Sequence, residues 1–387
     1  MDSKTKVIIA GAGIAGSVLA IFLKLKGYEP VVYEKIPEVT YAGLALLLSP
    51  NGLRVLNLIP GLLDKIRGLQ EDKFTHTSTV PDDEGLLIEF DFSTLPAHAG
   101  FGLLRMYIVW GHQLVALDQH ADHVEVAFVN GTKDAASFVV GCDGLHSDTR
   151  VSMFGREEAG YTGLSQTGGV SPIPEELKPE PRVACWYGDG AYMLALTMPD
   201  NQMSWAFTMP EPEEKETWRA TDKERKEAFQ ACPWSQWPLG ARELVHTAKK
   251  IYGLYGRPEL STWHKGRVIL VGDAAHPTSP HLGRCANQAF EDIYHLVRLL
   301  VQHNTDAAPP PSDVLAKIFE EYCALRVPRT SRLVKEARAM GESNVVQGIE
   351  ACKARNAALR AVWSNKQAVM AQVADMYLQP FVGQGEI

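Results

Sequence analysis

Val7-Ile8-Ile9-Ala10-Gly11-Ala12-Gly13-Ile14-Ala15-Gly16 is the stretch on which the fold turns. Four apolar residues, of the kind that fill a buried parallel strand, run into three glycines spaced G-x-G-x-x-G. Behind them Val18, Leu19, Phe22 and Leu23 recur at helical spacing, and Gly27 supplies a C-cap. Val31-Val32-Tyr33 then reads as a second strand, ending in Glu34. The order is that of one βαβ unit. Its first glycine permits the tight turn, its second lets a pyrophosphate approach the backbone, and its third packs helix on strand. Free N–H groups at the helix start favour phosphate. An acid placed like Glu34 accepts hydrogen bonds from a ribose 2′-hydroxyl and repels a 2′-phosphate. The pattern predicts a dinucleotide site and does not separate NAD from FAD.

The same apolar run, Val7 to Leu23 behind Lys4 and Lys6, imitates a secretory leader. It falls short of the ~20 residues of a spanning helix, and Lys24, Lys26 and Glu29 follow where a cleavage site would stand. The 387 residues allow two or three domains, at ~100–200 residues each. A net charge of -8, without a basic stripe, argues against nucleic acid as the main partner. Six scattered cysteines form no C-x-x-C. They suit reduced thiols in a cytoplasmic protein better than disulfides or a zinc site.

Two later stretches repeat the theme of a strand ending in an acid. Phe138-Val139-Val140-Gly141-Cys142-Asp143-Gly144 is an apolar strand closed by Asp-Gly, and Leu145 to Arg150 follows. Taken alone it reads equally as a capped turn into a short helix. Farther on, Arg267-Val268-Ile269-Leu270-Val271 leads to Gly272-Asp273, then to a loop with Pro277, Pro280, Gly283 and Asn287. Asp273 can accept hydrogen bonds from a sugar-like chain. The prolines stiffen the loop, Gly283 permits close backbone approach, and Asn287 offers a donor and an acceptor to a heterocycle edge. Phe290, Ile293, Val297 and Leu300 predict an amphipathic helix whose start faces that loop and favours negative charge there. His276, set before a proline, reads as structural.

With these three signatures in order, the chain resembles the FAD-dependent aromatic hydroxylases, single-component flavoprotein monooxygenases of the salicylate and para-hydroxybenzoate hydroxylase type. The resemblance spans most of residues 5–340. It implies an α/β fold in which a Rossmann-like FAD-binding domain, of the glutathione-reductase type, is interleaved with an antiparallel-sheet substrate domain and followed by C-terminal helices. Segments 1–75, 100–160 and 255–303 would form the first, 76–99 and 161–254 the second, and 313–387 the helical region. FAD contacts would come from Gly11, Gly13, Ala15, Gly16, Glu34, Lys35, Arg105, Asp143, Arg150, Asp273, Pro280, Gly283 and Asn287. Within that set, Asp143 and Arg150 would serve both FAD and NAD(P)H.

The resemblance further implies that NADH or NADPH is the co-substrate and reduces FAD without a Rossmann domain of its own; no second G-x-G-x-x-G appears. O₂ would then react through a flavin C4a-hydroperoxide to hydroxylate or epoxidise an aromatic or other electron-rich small molecule. Candidates for a general base are His281 and Tyr192. The expected protein is a monomer or homodimer in the cytoplasm with no stable membrane anchor. A flavin-dependent oxidase or cyclase on the same fold, or a flavin-binding homologue with impaired turnover, is the alternative; substrate-coupled NAD(P)H consumption separates them.

Residues 193–198 and 203–208 read as strands joined by a Pro-Asp-Asn-Gln turn. Trp186, Tyr187, Tyr192, Trp205 and Phe207 read first as sheet core and second as the lining of a flat pocket. The three prolines within 304–312 mark a linker into C-terminal helices. Two features depart from the family. Cys285 replaces a glycine of the loop, so its side chain must point away from a flavin. Arg105 stands almost against the strand at 107–110, leaving no room for the dozen or more residues of a parallel crossover.

Overall fold

The strands, numbered along the chain, divide among two large sheets and one small one. The computed structural model describes every residue except 1–3, 39–45, 67–72, 92–107, 179, 214–218, 221–222, 249 and 382–386. The first sheet runs β16 (His264–Lys265), β17 (Val268–Leu270), β9 (Phe138–Gly141), β1 (Lys6–Ala10), β2 (Glu29–Tyr33), β5 (Ile108–Val109). Its neighbours pair in parallel apart from β16 with β17. Helix α1 (Ile14–Leu25) makes the expected crossover from β1 to β2. Val7, Ile8, Ile9, Phe138, Val139 and Val140 have no exposed surface. Burial of side chains this size stabilises by about 1.5–3 kcal/mol each, so this sheet is the core that holds the glycine turn in place.

Helix α6 (Cys285–His303) follows β17 and packs against α1, α2 (Pro50–Leu56) and the long α7 (Ser312–Asn344). Phe290, Ile293, Val297 and Leu300 are buried as the spacing requires. The linker between α6 and α7 is tied down, because the Arg267 guanidinium donates to the Pro310 carbonyl. Helices α8 (Ile349–Ser364) and α9 (Lys366–Leu378) follow.

The second sheet runs β14 (Arg219–Ala220), β15 (Lys250–Gly256), β10 (Gly160–Pro172), β13 (Gln202–Pro210), β12 (Tyr192–Met198), β11 (Arg182–Tyr187), β3 (Lys73–Ser78), β4 (Gly85–Asp91). It is antiparallel except between β11 and β3. Asp200 and Asn201 take φ of 62° and 56°, so the expected turn forms with both central residues left-handed, as a twisted hairpin prefers. The five aromatics divide by face. Trp186, Trp205 and Phe207 pack with Phe229 and Trp237 in one core; Tyr187 and Tyr192 lie on the opposite face with Leu164 and Leu254.

A small sheet of β6 (Leu114–Gln119), β7 (Val124–Phe128) and β8 (Lys133–Ala136) completes the strands. Arg105 and the shortened segment before β5 lie outside the described residues. Strand β5 itself pairs with β2, Ile108 beside Val32 and Val109 beside Tyr33.

Candidate functional site

The three acid-ended stretches meet at one point, and each pair is joined by a contact. A β-carbon on Gly11 would lie 2.5 Å from the Cys142 carbonyl oxygen and 2.8 Å from the Asp143 Cα, so the first turn and the Asp-Gly turn are pressed together. Gly11 holds a φ of +98°, which only glycine adopts freely. A β-carbon on Gly272 would lie 3.4 Å from Ala15 Cβ, which joins the first turn to the third. Arg150 Nη1 donates to the Ala275 carbonyl at 3.4 Å and joins the second to the third.

Within this junction the first turn fits an anionic ligand. Gly16 is required by packing, since a β-carbon there would stand 2.0 Å from the Gly11 carbonyl oxygen. Gly13 is different: a β-carbon on it would meet nothing within 4 Å. Its backbone is open at the N-terminus of α1, where no side chain caps the helix and no acid occupies the first turn. Such an end presents unpaired N–H groups and positive potential. Glu34 stands over it, Oε2 accepting from the Ala12 N–H at 2.7 Å and Oε1 from the Ile36 N–H at 3.1 Å. Each carboxylate oxygen retains a lone pair for a ribose hydroxyl. Lys35 is exposed beside it. Open glycine backbone, an uncapped helix start and a positioned acid suit the pyrophosphate and ribose of FAD.

Asp143 and Arg150 act within the protein. Asp143 accepts from the Ser147 hydroxyl at 2.5 Å and from the Thr149 N–H and hydroxyl, both at 2.9 Å. Burial raises its pKa, and those three donors oppose the rise. It thereby fixes the start of α3 (Asp148–Phe154). Arg150 is buried, donating also to the Pro258 carbonyl at 2.7 Å and pairing with Glu157 at 3.0 Å.

Asp273 sits half-buried in a single helical turn after β17. Burial raises its pKa; His276 nearby lowers it and Asp292 raises it further. After it, Pro280–Leu282 forms another short turn and Gly283 takes φ +62°. Cys285 turns its thiol back into this loop, donating to the Thr278 carbonyl at 3.2 Å. Helix α6 starts there with no side-chain cap and no acid in its first turn.

Asn287 departs from expectation. Its Oδ1 accepts from the Ser49 N–H at 2.9 Å, and its Nδ2 donates to the Leu47 carbonyl at 2.9 Å. The amide edge therefore binds the 47–49 backbone rather than standing open to a ring. Gly52 is needed for the approach, because a β-carbon there would fall 2.3 Å from Asn287 Oδ1.

The two candidate bases differ in state. His281 has both ring nitrogens buried without a partner, and burial lowers its pKa to about 4. It lies against Gly341, where a β-carbon would come 2.4 Å from Nε2. Tyr192 contacts Cys185 Sγ through its hydroxyl at 3.2 Å. Burial first, then Cys185 and Tyr187, push its pKa well above the usual phenol value. At neutral pH it is a hydrogen-bond donor and not a base.

Sequence reasoning missed the network beneath the loop. Asp292 accepts from the Gly272 N–H at 2.9 Å and from Arg326 Nε at 2.7 Å, and meets His276 Nε2 at 2.6 Å. Glu291 takes Arg326 Nη1 and Arg329 Nε, each at 2.6 Å, and Asn51 Nδ2 at 2.7 Å. Arg326, Glu291 and Asp292 are fully buried. Burial opposes ionisation of Asp292, but His276 and Arg326 outweigh it and hold its carboxyl far below the usual range. The available signal was a Glu-Asp pair inside an apolar helix; its arginines lie 34 to 38 residues on.

One face of the second sheet supplies a candidate substrate wall. Tyr192, Thr208, Gln166 and Tyr252 lie opposite one another on β12, β13, β10 and β15, and so share a face. Tyr252 donates to Gln166 Oε1 at 2.7 Å, and Gln166 Nε2 to Thr208 Oγ1 at 3.1 Å. Leu194 and Leu196 pack with this face. A separate cavity of about 20 Å³ beside Trp263, His276, Pro277 and Thr330 has room for water, not for an aromatic ring.

Residues 4–94 and 101–337 match the family model described as FAD binding domain. A 3-amino-4-hydroxybenzoate 2-monooxygenase from Streptomyces cremeus is 28% identical over 93% of each chain. A 6-hydroxynicotinate 3-monooxygenase from Pseudomonas fluorescens is 28% identical over 86% of this chain and 90% of its own. A Klebsiella pneumoniae protein crystallised with FAD and uric acid shares the fold, with a TM-score of 0.81 at 22% identity over 98% of both chains.

Proposed function

Given that this chain belongs to the FAD binding domain family of oxidoreductases, we propose that it is a FAD-dependent monooxygenase that hydroxylates a small aromatic substrate at the expense of NADH or NADPH and O₂. The observation that carries this reading is the three-way junction, where Gly11 meets Asp143, Ala15 meets Gly272, and Arg150 meets Ala275. When bound, FAD would supply hydride acceptance and oxygen activation, chemistry that no side chain offers.

The protein's part is to bind, orient and enclose. Gly13 and the start of α1 would hold the pyrophosphate, Glu34 the adenosine ribose, and Asp273 the ribityl or pyrophosphate region. The loop from Pro277 to Gly283, with Asp292 beneath it, would set the ring's position, and the start of α6 would favour negative charge on the reduced ring. Tyr192 and Tyr252, the latter held by its bond to Gln166, would stand toward the substrate's polar edge while Leu194 and Leu196 cover its ring. His281, neutral above pH about 4, is the remaining candidate to accept a phenolic proton. Turnover would proceed in the cytoplasm by a monomer or homodimer. Among the described residues no helix is long and apolar enough to cross a membrane.

The test is NADH and NADPH oxidation by the FAD-loaded protein across phenols, aminophenols and hydroxylated N-heterocycles. The reading requires substrate-stimulated oxidation, matched O₂ uptake and a product heavier by one oxygen. Substrate conversion without nicotinamide consumption would favour the oxidase or cyclase reading.

A further inference from the structure

Away from the junction, the tip of the β6–β7 hairpin gathers four metal-ligand side chains on one face. Asp118 on β6 lies directly opposite Glu125 on β7. Two residues toward the tip the His120 N–H donates to the His123 carbonyl at 2.9 Å, so the two histidines are also opposite. Residues two apart on a strand share a face. The intervening pair, Gln119 and Val124, turns to the other side: Val124 is fully buried, and Gln119 Oε1 accepts from the Arg267 N–H. The outer face therefore carries a square of two imidazoles and two carboxylates.

We propose that this square binds one divalent first-row transition ion, with Zn²⁺ as the probe. One ligand atom from each of His120, His123 and Glu125 lies within 4.8 Å of the other two. A tetrahedral site with ~2.1 Å bonds needs ligands roughly 3.4 Å apart, which rotamer shifts on the order of 1 Å supply. Asp118 lies outside that three-residue group, but its Oδ2 stands 3.7 Å from His120 Nε2, and a side-chain rotation would bring it in as the fourth ligand.

Three further observations point to a cation. Like charges directly opposite on a hairpin are destabilising. The residue paired with Glu125 on β8 is Ala135, so that strand gives the Asp118–Glu125 row no basic partner. His123 Nδ1 lies 2.8 Å from Asp122 Oδ1, the orienting bond that leaves the other ring nitrogen to face a metal. Finally, the tip is held rigid. Arg267 Nε and Nη2 and the Ser312 hydroxyl all donate to the Ala121 carbonyl, at 3.0, 2.6 and 2.7 Å. Two imidazoles with two carboxylates favour Zn²⁺, Ni²⁺ or Cu²⁺ over Mg²⁺ or Ca²⁺.

The test is calorimetric titration of Zn²⁺ into the tag-free, FAD-loaded full chain. One saturable site is expected, and His120→Ala/His123→Ala should weaken it at least a hundredfold. Asp118→Asn/Glu125→Gln, confined to the hairpin surface, should weaken it about tenfold. Cu²⁺ bound at this site should show nitrogen hyperfine splitting from two imidazoles in its electron paramagnetic resonance spectrum. No saturable binding up to millimolar Zn²⁺, an unchanged site in both double variants, or equally tight Mg²⁺ binding would each overturn the proposal.

Discussion

Asp292 Oδ2 meets His276 Nε2 at 2.6 Å, and through this contact the loop that follows Asp273 is anchored to helix α6. The same carboxylate binds the Gly272 N–H and, through Oδ1, Arg326. A buried charge network thus sits directly under the proposed flavin loop.

Removing one partner leaves the other charge buried and unpaired, at a cost of about 3–5 kcal/mol. Arg326→Met should therefore lower the urea midpoint strongly and also reduce FAD occupancy. Asp292 is ionised in the fold at a pH where the unfolded chain is already protonated, so its contribution is present above pH about 4 and lost as the pH falls below it. Equal acid sensitivity of wild type and Asp292→Asn in unfolding titrations would contradict this.

Buried histidines predict a second acid-sensitive window. Burial lowers His76 to about 4; burial, then Arg326, lowers His295 to about 3. The unfolded chain takes up protons near pH 6.5 while these rings stay neutral in the fold. Stability should be full above pH 6.5 and fall on acidification, by at most about 1.4 kcal/mol per pH unit per histidine. His76→Asn should flatten melting temperature against pH between 6.5 and 4, relative to wild type.

Glu34 and Asp273 are proposed to bind hydroxyls of the cofactor. Hydrogen bonds to charged groups contribute about 1.5–3 kcal/mol, so Glu34→Ala or Asp273→Ala should weaken FAD tenfold to a hundredfold. The cofactor should be released by acid as free yellow flavin. FAD affinity unchanged in both variants, by fluorescence titration, would remove both assignments.

The βαβ unit was legible because its physics is local. Gly11, Gly13 and Gly16 are placed by neighbours within a few residues, and Glu34 closes the unit at the end of β2. The amphipathic helix after Asp273 was legible from Phe290, Ile293, Val297 and Leu300 for the same reason. What stayed hidden depends on distant partners. Nothing near Asn287 shows that its amide meets Leu47 and Ser49, and nothing near Asp292 shows Arg326. The five aromatics of the second sheet read alike in sequence, and only strand parity and the elements packed above each face separate Trp205 from Tyr192. The square at His120 and His123 becomes visible only once β6 and β7 are in register.

The central claim, that the junction is a FAD site, is tested most directly at Gly13. Its φ is -65° and a β-carbon there meets nothing in the protein, so Gly13→Ala should leave the apoprotein's melting temperature almost unchanged. The added methyl would stand in the space that the proposed site gives to the pyrophosphate. Titration of FAD into apoprotein, followed by flavin absorbance and tryptophan quenching, should give one site per chain in the wild type. Gly13→Ala should weaken that site at least tenfold with no loss of fold. A wild type that binds no FAD, or a Gly13→Ala variant that binds it equally well, would contradict the account.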